Sequence, residues 1–131
     1  TVRGNNDVLM ERIMKVINQH ISEPEFNVEA LTREVGISRA QLHRKMKEMT
    51  GISAGEFIRN LRLEQAARLI AEGNINITQV AFAVGFNNQT HFSTVFKKHY
   101  GMTPTEYSER KQKKKRKIEK KKVNNDNSTH N

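Results

Sequence analysis

The sequence predicts an all-α fold in which seven helices form two helix-turn-helix subdomains joined by a long connecting helix. Apolar residues recur every three or four positions along most of the chain, which is the period of one helical face. The 131 residues include seven glycines and two prolines, so few positions interrupt such helices. The third observation is an internal repeat, which makes the two halves of the chain alike.

Capping residues set the predicted boundaries of the helices. In chain order the helices span about 8–21, 28–35, 39–50, 53–72, 77–84, 89–100 and from 104 onward. Side chains that accept backbone N–H groups precede most of them: Asp7, Asn27, Ser38, Asn76, Asn87 or Asn88, and Thr103. Glycines suited to the left-handed conformation follow five of them: Gly36, Gly51, Gly73, Gly85 and Gly101.

Apolar stripes mark the face of each helix that is predicted to be buried. In the first helix and the connecting helix the stripes are Ile13, Val16, Ile17 and Ile21, and Phe57, Ile58, Leu61, Ala66, Leu69 and Ile70. In helices 39–50 and 89–100 they are Leu42, Met46 and Met49, and Phe92, Val95, Phe96 and His99. A helix with one apolar face packs that face against a core.

The repeat aligns residues 35–37 with residues 84–86, at an offset of 49. Beyond this turn the offset is 50, as in the pairs Leu42 with Phe92 and Met46 with Phe96. The second copy therefore has one more residue in its turn. Each copy is a short helix, a glycine-containing turn and a longer helix, which is the helix-turn-helix pattern. A structural repeat without a ligand is the alternative interpretation of the duplication.

The longer helix of each copy has a polar face opposite its apolar stripe. A helical wheel places Ala40, His43, Arg44 and Lys47 there in the first copy, with Arg39 and Gln41 beside them, and Thr90, Ser93, Thr94 and Lys97 in the second, with Gln89 and His91 beside them. Residues 35–47 and 73–105 contain no Asp or Glu, although 28% of the chain is charged. The absence of carboxylates favours a surface that phosphates approach. A helical protein-interaction module would instead present mixed charges.

The connecting helix has a length suited to DNA. Twenty residues extend about 30 Å, whereas successive turns of a major groove recur about 34 Å apart on one side of B-DNA. We therefore predict that it places the two longer helices in adjacent major-groove segments. Arg59, Arg62 and Arg68 are predicted to project from it, with Arg59 and Arg62 contacting phosphates or pairing with Glu64 and Glu56.

Composition excludes several other classes of protein. There is no Cys, so disulfides, thiolate zinc sites and Cys nucleophiles are absent, and the five His residues lack the spacing of paired metal ligands. No signal peptide, phosphate-cradling glycine motif or nucleophile elbow is present. We expect no catalytic residue, metal, cofactor or small-molecule ligand in this domain.

The net charge of +9 is concentrated near the C-terminus, where residues 111–131 hold nine of the 23 Lys and Arg residues and two of the 14 acids. We predict a basic, disordered tail there, which is either solvated or adds sequence-independent affinity for DNA. The predicted organisation is a linker at 1–6, a DNA-binding domain at 7–110 and this tail at 111–131.

Residues 8–107 resemble the DNA-binding domain of the AraC/XylS family. The second copy carries the more diagnostic residues: Ile77-Thr78-Gln79-Val80-Ala81, Val84-Gly85-Phe86, Phe92, Val95-Phe96-Lys97-Lys98, Gly101-Met102-Thr103-Pro104 and Tyr107. The first copy agrees through Val35-Gly36-Ile37-Ser38, Leu42-His43-Arg44-Lys45-Met46-Lys47 and Thr50-Gly51-Ile52-Ser53. Met46, where an aromatic residue is usual, and Ser108, where Arg is frequent, depart from the family pattern.

The resemblance implies which residues contact a promoter or operator in double-stranded DNA. Base contacts are expected from Ala40, Gln41, His43 and Arg44 in the first copy, and from Gln89, Thr90, His91 and Thr94 in the second. Arg and Gln suit guanine and adenine edges in the major groove. Phosphate contacts are expected from Ser38, Arg39, Lys47, Arg59, Asn88 and Lys97.

Within the family, the first copy and the segment before it look most like the output domain of hybrid two-component sensors, which join a periplasmic sensor, a kinase, a receiver and this type of domain. That resemblance implies control by phosphorylation upstream, a cytoplasmic domain and a full-length protein anchored in the inner membrane. A soluble, effector-responsive regulator is the alternative arrangement. The start at Thr1 instead of Met suggests a piece of a longer protein. RNA polymerase is a candidate partner, as is a second copy that pairs through regions outside this segment.

Overall fold

The structure is a computed structural model that describes the backbone of residues 4–129 and the side chains of residues 4–123. The described residues form seven α-helices and no strand: α1 (Asn5–His20), α2 (Val28–Val35), α3 (Arg39–Thr50), α4 (Ala54–Glu72), α5 (Ile77–Ala83), α6 (Gln89–Tyr100) and α7 (Pro104–Thr129). The predicted all-α class and the two helix-turn-helix subdomains are confirmed. We call α1–α3 the first unit and α5–α7 the second unit, with α4 connecting them.

The first unit encloses an aliphatic core. Two residues of α1, Ile13 and Ile17, are fully buried against α2 and α3. The other buried members of this core are Phe26, Leu31, Val35, Leu42, Met46, Ala54 and Ile58. The predicted inward residues Val16, Met49, Phe57 and Leu61 are partly buried at its edge. The apolar stripes of α1 and α3 therefore face the core as predicted.

The second unit encloses a core that is rich in aromatic rings. Phe92 and Phe96 of α6 are fully buried, and their ring centroids lie 5.6 Å apart. The Tyr107 ring of α7 packs edge-on against Phe96 at 5.5 Å, and the Tyr100 ring lies 4.6 Å from Phe96. Aromatic pairs at these separations add to the stability that burial alone supplies.

The connecting helix α4 contributes to both cores. Ala54 and Ile58, near its start, are buried in the first unit, and Leu63, Ala66, Ala67 and Ile70 are buried in the second. A helix with one apolar stripe has a single buried face, whereas α4 is buried on different faces along its length. The two units therefore pack on the same rigid element.

Most predicted caps are present. Asn27, Ser38, Asn76 and Asn88 accept hydrogen bonds from backbone N–H groups in the first turns of α2, α3, α5 and α6. Asn76 and Gln79 complete the capping box, and Thr103 and Glu106 exchange both bonds at the start of α7. These bonds from Thr103 also lower the pKa of the Glu106 carboxyl group. Because such caps satisfy free N–H groups, they fix where each helix begins.

Two predicted boundaries are wrong at the N-terminus. Helix α1 begins at Asn5 after Gly4, so Asp7 lies inside the first turn and does not cap the helix. Residues 5 and 6 of the predicted linker are therefore helical, and residues 1–3 lie outside the described part of the chain. An acidic residue within the first turn is favourable there because it faces the positive end of the helix dipole.

The disorder predicted for residues 111–131 is also wrong over the part that is described, since α7 continues to Thr129. The Lys, Arg, Gln and Glu residues of this segment have high helix propensity, and neither Gly nor Pro occurs in it. Near its middle, α7 also contacts the end of α4, where Lys115 Nζ donates to the Glu72 carbonyl at 3.3 Å. Residues 130–131 lie outside the described part.

Within the described residues, no helix is long and apolar enough to span a lipid bilayer.

Candidate nucleic-acid interface

The outer face of α3 is accessible along its length. Leu42 and Met46 have no exposed surface and fix the rotation of the helix against α1 and α2. The residues predicted to contact DNA from this helix are all exposed: Ser38, Arg39, Ala40, Gln41, His43, Arg44 and Lys47. The facing predicted by the helical wheel is therefore confirmed for α3.

The polar contacts of Arg39 and Lys45 show which cations of α3 are already engaged within the protein. Arg39 at the start of α3 lies 3.6 Å from the Glu29 carboxylate of α2, and both side chains are largely exposed. Lys45 is directed back to α1, where its Nζ donates to Asn6 Oδ1 at 3.1 Å. The sequence pattern did not reveal Glu29, because this acid comes near α3 only through the packing of α2. Arg44 in the middle of α3 and Lys47 in its last turn are therefore the more available cations of this helix.

The outer face of α6 is also accessible, and it is mostly uncharged. The predicted contact residues from this helix are all exposed: Asn88, Gln89, Thr90, His91, Thr94 and Lys97. The Thr78 hydroxyl of α5 donates to Gln89 Oε1 at 2.5 Å, which leaves the Gln89 amide N–H groups for an acceptor on a ligand. Thr94 Oγ1 donates to the Thr90 carbonyl at 2.9 Å, so the Thr94 methyl group is held in one orientation.

The wheel of α6 needs two corrections. His99, predicted to face the core, is exposed, and Ser93, predicted to face outward, is partly buried. Tyr100 at the end of the helix fills the space instead, and its ring packs at tilted angles against Phe96 and Tyr107. Burial and the neighbouring Glu64 carboxylate raise the pKa of the Tyr100 hydroxyl. The face of α6 is thus rotated slightly from the predicted one, and Thr90, Thr94 and Lys97 remain outside.

A cleft of about 360 Å³ lies between the two units, beside α4. Its walls include Asn27 and Val28 at the start of α2, Arg59 of α4, and Asn87 and His91 at the start of α6. Glu29, the partner of Arg39, follows Val28 directly in sequence. The N-terminal ends of α2 and α6 therefore border the same cleft, with the exposed Arg59 between them. The cleft was not predicted, because its walls come from three separate segments of the chain.

Arg62 does not project from α4 as predicted. Its side chain is buried, with 6% of its surface exposed, and it donates four hydrogen bonds to backbone carbonyls. It therefore neither faces a phosphate nor pairs with Glu64 or Glu56. A buried guanidinium requires such acceptors because its five N–H groups otherwise lose their hydration. Arg59 and Arg68, by contrast, are exposed as predicted.

Comparison with known proteins connects this geometry to a family. The model of a helix-turn-helix domain family matches residues 31–110. A histidine kinase P4 from Formosa agariphila is 34% identical over 84% of this chain, which corresponds to 8% of the kinase. The HTH-type transcriptional regulator MtrA of Neisseria gonorrhoeae is 36% identical over 72% of this chain and 31% of that protein. The chain thus spans a minor part of these relatives.

Solved structures share the same arrangement of helices. The C-terminal domain of AraT, a response regulator from Geobacillus stearothermophilus, superposes with a TM-score of 0.74 at 29% identity, covering 81% of this chain and 88% of that domain. A DNA-binding transcriptional dual regulator from Escherichia coli K-12 gives 0.74 at 30% identity, covering 86% and 97%. An AraC-type DNA-binding protein from Chromobacterium violaceum gives 0.75 at 27%, covering 83% and 96%. With its paired helix-turn-helix units and the exposed polar faces of α3 and α6, the chain belongs to the AraC-type helix-turn-helix family, whose members are DNA-binding domains of transcription regulators and not enzymes.

Proposed function

We infer that the domain binds an asymmetric operator by placing α3 in one major-groove segment and α6 in the next segment along the same side of the duplex. The observation that carries this proposal is the pair of exposed outer faces of α3 and α6, which are free of Asp and Glu over residues 38–47 and 88–100. Between them, the 19 residues of α4 extend about 28 Å, close to the repeat of the groove. DNA phosphates would repel carboxylates at these positions.

Base recognition is assigned to the N-terminal halves of the two helices. The contacts proposed are from Ala40, Gln41, His43 and Arg44 on α3 and from Gln89, Thr90, His91 and Thr94 on α6. Arg44 can donate two parallel bonds to a guanine, and the Thr94 methyl group suits a thymine methyl. Glu29 beside Arg39 does not oppose this assignment, because an exposed pair at 3.6 Å is weak and exchanges readily for a phosphate.

Phosphate contacts are assigned to the ends of the helices and to the cleft. Ser38, Arg39 and Asn88 lie at helix N-termini, where free N–H groups favour anions. Lys47 and Lys97 lie in the last turns of α3 and α6. Arg59 in the cleft is placed to neutralise the backbone that crosses between the two groove segments. Such contacts set the register of the protein on the duplex without reading its sequence.

The proposed setting is the output end of a hybrid two-component sensor in the cytoplasm, where upstream phosphorylation controls DNA binding. The histidine kinase relative and the response-regulator neighbours support this setting. The relative MtrA, which is named as a transcriptional regulator and not as a kinase, supports the second candidate, a soluble regulator that responds to an effector. Contacts with RNA polymerase, pairing with a second copy through other regions, and an inner-membrane anchor in the full-length protein belong to the same proposal.

Selection of bound sequences from a random duplex pool tests the DNA-binding mode. We expect two specified blocks of unequal sequence, with centres separated by about one turn of the duplex. A single block, or no enrichment at low salt, would contradict the two-site mode. The setting is tested with the full-length protein on the selected operator. ATP should change its affinity if a kinase controls it, whereas insensitivity to ATP would leave the effector-responsive candidate.

A further inference from the structure

Arg62 lies in the middle of α4 at the place where the two units meet. Its Nη1 donates to the Ile21 carbonyl at 2.7 Å and to the Val84 carbonyl at 2.9 Å. Its Nη2 donates to the Glu23 carbonyl at 3.0 Å and to the Phe26 carbonyl at 3.3 Å. Three of these acceptors lie in the connection between α1 and α2, and the fourth ends the short helix α5. One side chain therefore joins both units to the connecting helix.

The planar shape of the guanidinium fixes the directions in which Arg62 can bind its acceptors. A planar fork with two terminal nitrogens can satisfy acceptors on two sides at once, and Nη1 itself is shared between Ile21 of the first unit and Val84 of the second. Burial lowers the pKa of Arg62, and the Glu25 and Glu23 carboxylates act in the opposite direction. An arginine remains charged under such conditions, so the carbonyl dipoles are held by a full positive charge.

Gly85 shows how closely the second unit approaches this cross-link. Its φ is +89°, and a Cβ built at this position would lie 1.4 Å from Arg62 Nη1 and 2.5 Å from the Ile21 carbonyl oxygen. Any side chain here would displace the guanidinium and separate the turn from the first unit. The turn that contains Gly85 leads directly into α6. The position of α6 relative to the first unit is therefore tied to Arg62.

We propose that Arg62 is a positioning residue that fixes the spacing and the rotational phase at which α3 and α6 meet the two halves of an operator. This inference rests on the proposed two-site function. Adding one base pair between the half-sites moves the second half-site by about 3.4 Å and rotates it by about 34°. The two units pack on different parts of α4, so a twist of α4 is the simplest way to follow such a change. The cross-link opposes that twist, because the Ile21 and Val84 carbonyls share one nitrogen.

The test compares wild type with Arg62→Lys and Arg62→Gln on operators whose half-sites are separated by the selected spacing and by one base pair more or fewer. For wild type, we expect a change of one base pair to weaken binding by about a hundredfold, because the second unit can no longer engage. In the variants, we expect this penalty to fall below about tenfold. Binding at the selected spacing should weaken by a smaller factor than the factor by which the penalty falls. Arg68→Gln, which removes an exposed arginine from the same helix, is the matched control and should keep the wild-type profile.

Circular dichroism and thermal unfolding identify the variants that are folded. A folded Arg62 variant whose affinity is lowered by the same factor at every spacing would show that Arg62 is only structural, and would overturn the inference. If wild type ignores the spacing because it binds a single half-site, the two-site function itself is wrong. These two failures are therefore distinguishable.

A second measurement keeps Arg62 and replaces only exposed residues, so that the cross-link itself stays intact. Because the chain has no cysteine, spin labels can be placed at Glu48→Cys on α3 and Lys98→Cys on α6, both exposed. We expect a single narrow distribution of distances between the labels in the absence of DNA. A broad distribution would mean that the units rotate freely despite the cross-link, and would overturn the inference.

Discussion

The two units share one plan but differ in what fills their cores. The first unit buries Leu42 and Met46 from α3 among aliphatic residues, and the second buries Phe92 and Phe96 from α6 among aromatic rings. The two pairs occupy equivalent positions of the repeat, and all four side chains have no exposed surface. The positions of the buried residues, and not their types, therefore set the rotation of each outer helix.

The outer faces differ as much as the cores. Helix α3 exposes Arg44 and Lys47, whereas the equivalent part of α6 exposes Thr94 and Lys97. Since neither face takes part in the packing of its unit, each is free to carry its own chemistry. A duplicated fold can therefore supply two different DNA-reading surfaces, one dominated by charge and the other by amide, hydroxyl and methyl groups.

The largest effect is expected from the difference between the cores. Phe96→Ala should destabilise the domain by about 3–5 kcal/mol, as a large cavity opens in the core. Met46→Ala at the equivalent position should cost less, nearer about 2–3 kcal/mol, because it leaves a smaller cavity and removes no aromatic pairs. Urea unfolding of both variants measures this difference. A larger loss for Met46→Ala would show that the aromatic cluster does not dominate stability.

A smaller effect is expected from the outer faces. Arg44→Ala should weaken specific binding by about 1–3 kcal/mol and relax the preference at one base position. Thr94→Ser, which removes one methyl group from the face of α6, should cost about 0.8 kcal/mol or less. Titration of the operator and of random DNA measures both changes. If Arg44→Ala weakens binding to both DNAs equally, Arg44 contacts a phosphate and not a base.

The smallest effect is expected from the basic end of α7, which has no counterpart in the first unit. Removing residues 116–131 leaves Gln112 and Lys115 in contact with the end of α4. If the removed Lys and Arg residues add sequence-independent affinity, the dependence of binding on salt should become shallower in the truncated protein, while the preferred sequence stays the same. An unchanged salt slope would show that the basic end of α7 is only solvated.

Local chemistry explains what the sequence could predict. Asn27, Ser38, Asn76 and Asn88 cap helices through bonds to residues three positions away, so their neighbours in sequence determine their role. Accordingly, most boundaries were predictable, as were the outer faces of α3 and α6. The assignment of individual base and phosphate contacts remains a prediction, since it depends on the DNA as well as on the chain.

Contacts between distant segments explain what the sequence could not predict. Arg62 finds its four acceptors between 22 and 41 residues away, and no periodic pattern contains that information. The helical period places His99 on the core side, two turns after Phe92. In the structure Tyr100 occupies that space, because its ring packs against Tyr107 of the next helix. The closeness of Glu29 to Arg39 and the presence of the cleft likewise result from the packing of segments that are distant in sequence. Local patterns thus predict where helices lie, but not which side chains connect them.

Helix α4 has a consequence for how the molecule unfolds. Tandem repeats frequently lose structure one after another, because each has its own interior. Here one helix supplies Ile58 to one interior and Leu63 to the other, only about 7 Å further along its axis. Unfolding of either unit would therefore expose one face of α4, the helix on which the other unit also packs. We therefore expect the duplicated halves to unfold as one cooperative unit, with a single calorimetric transition in place of two.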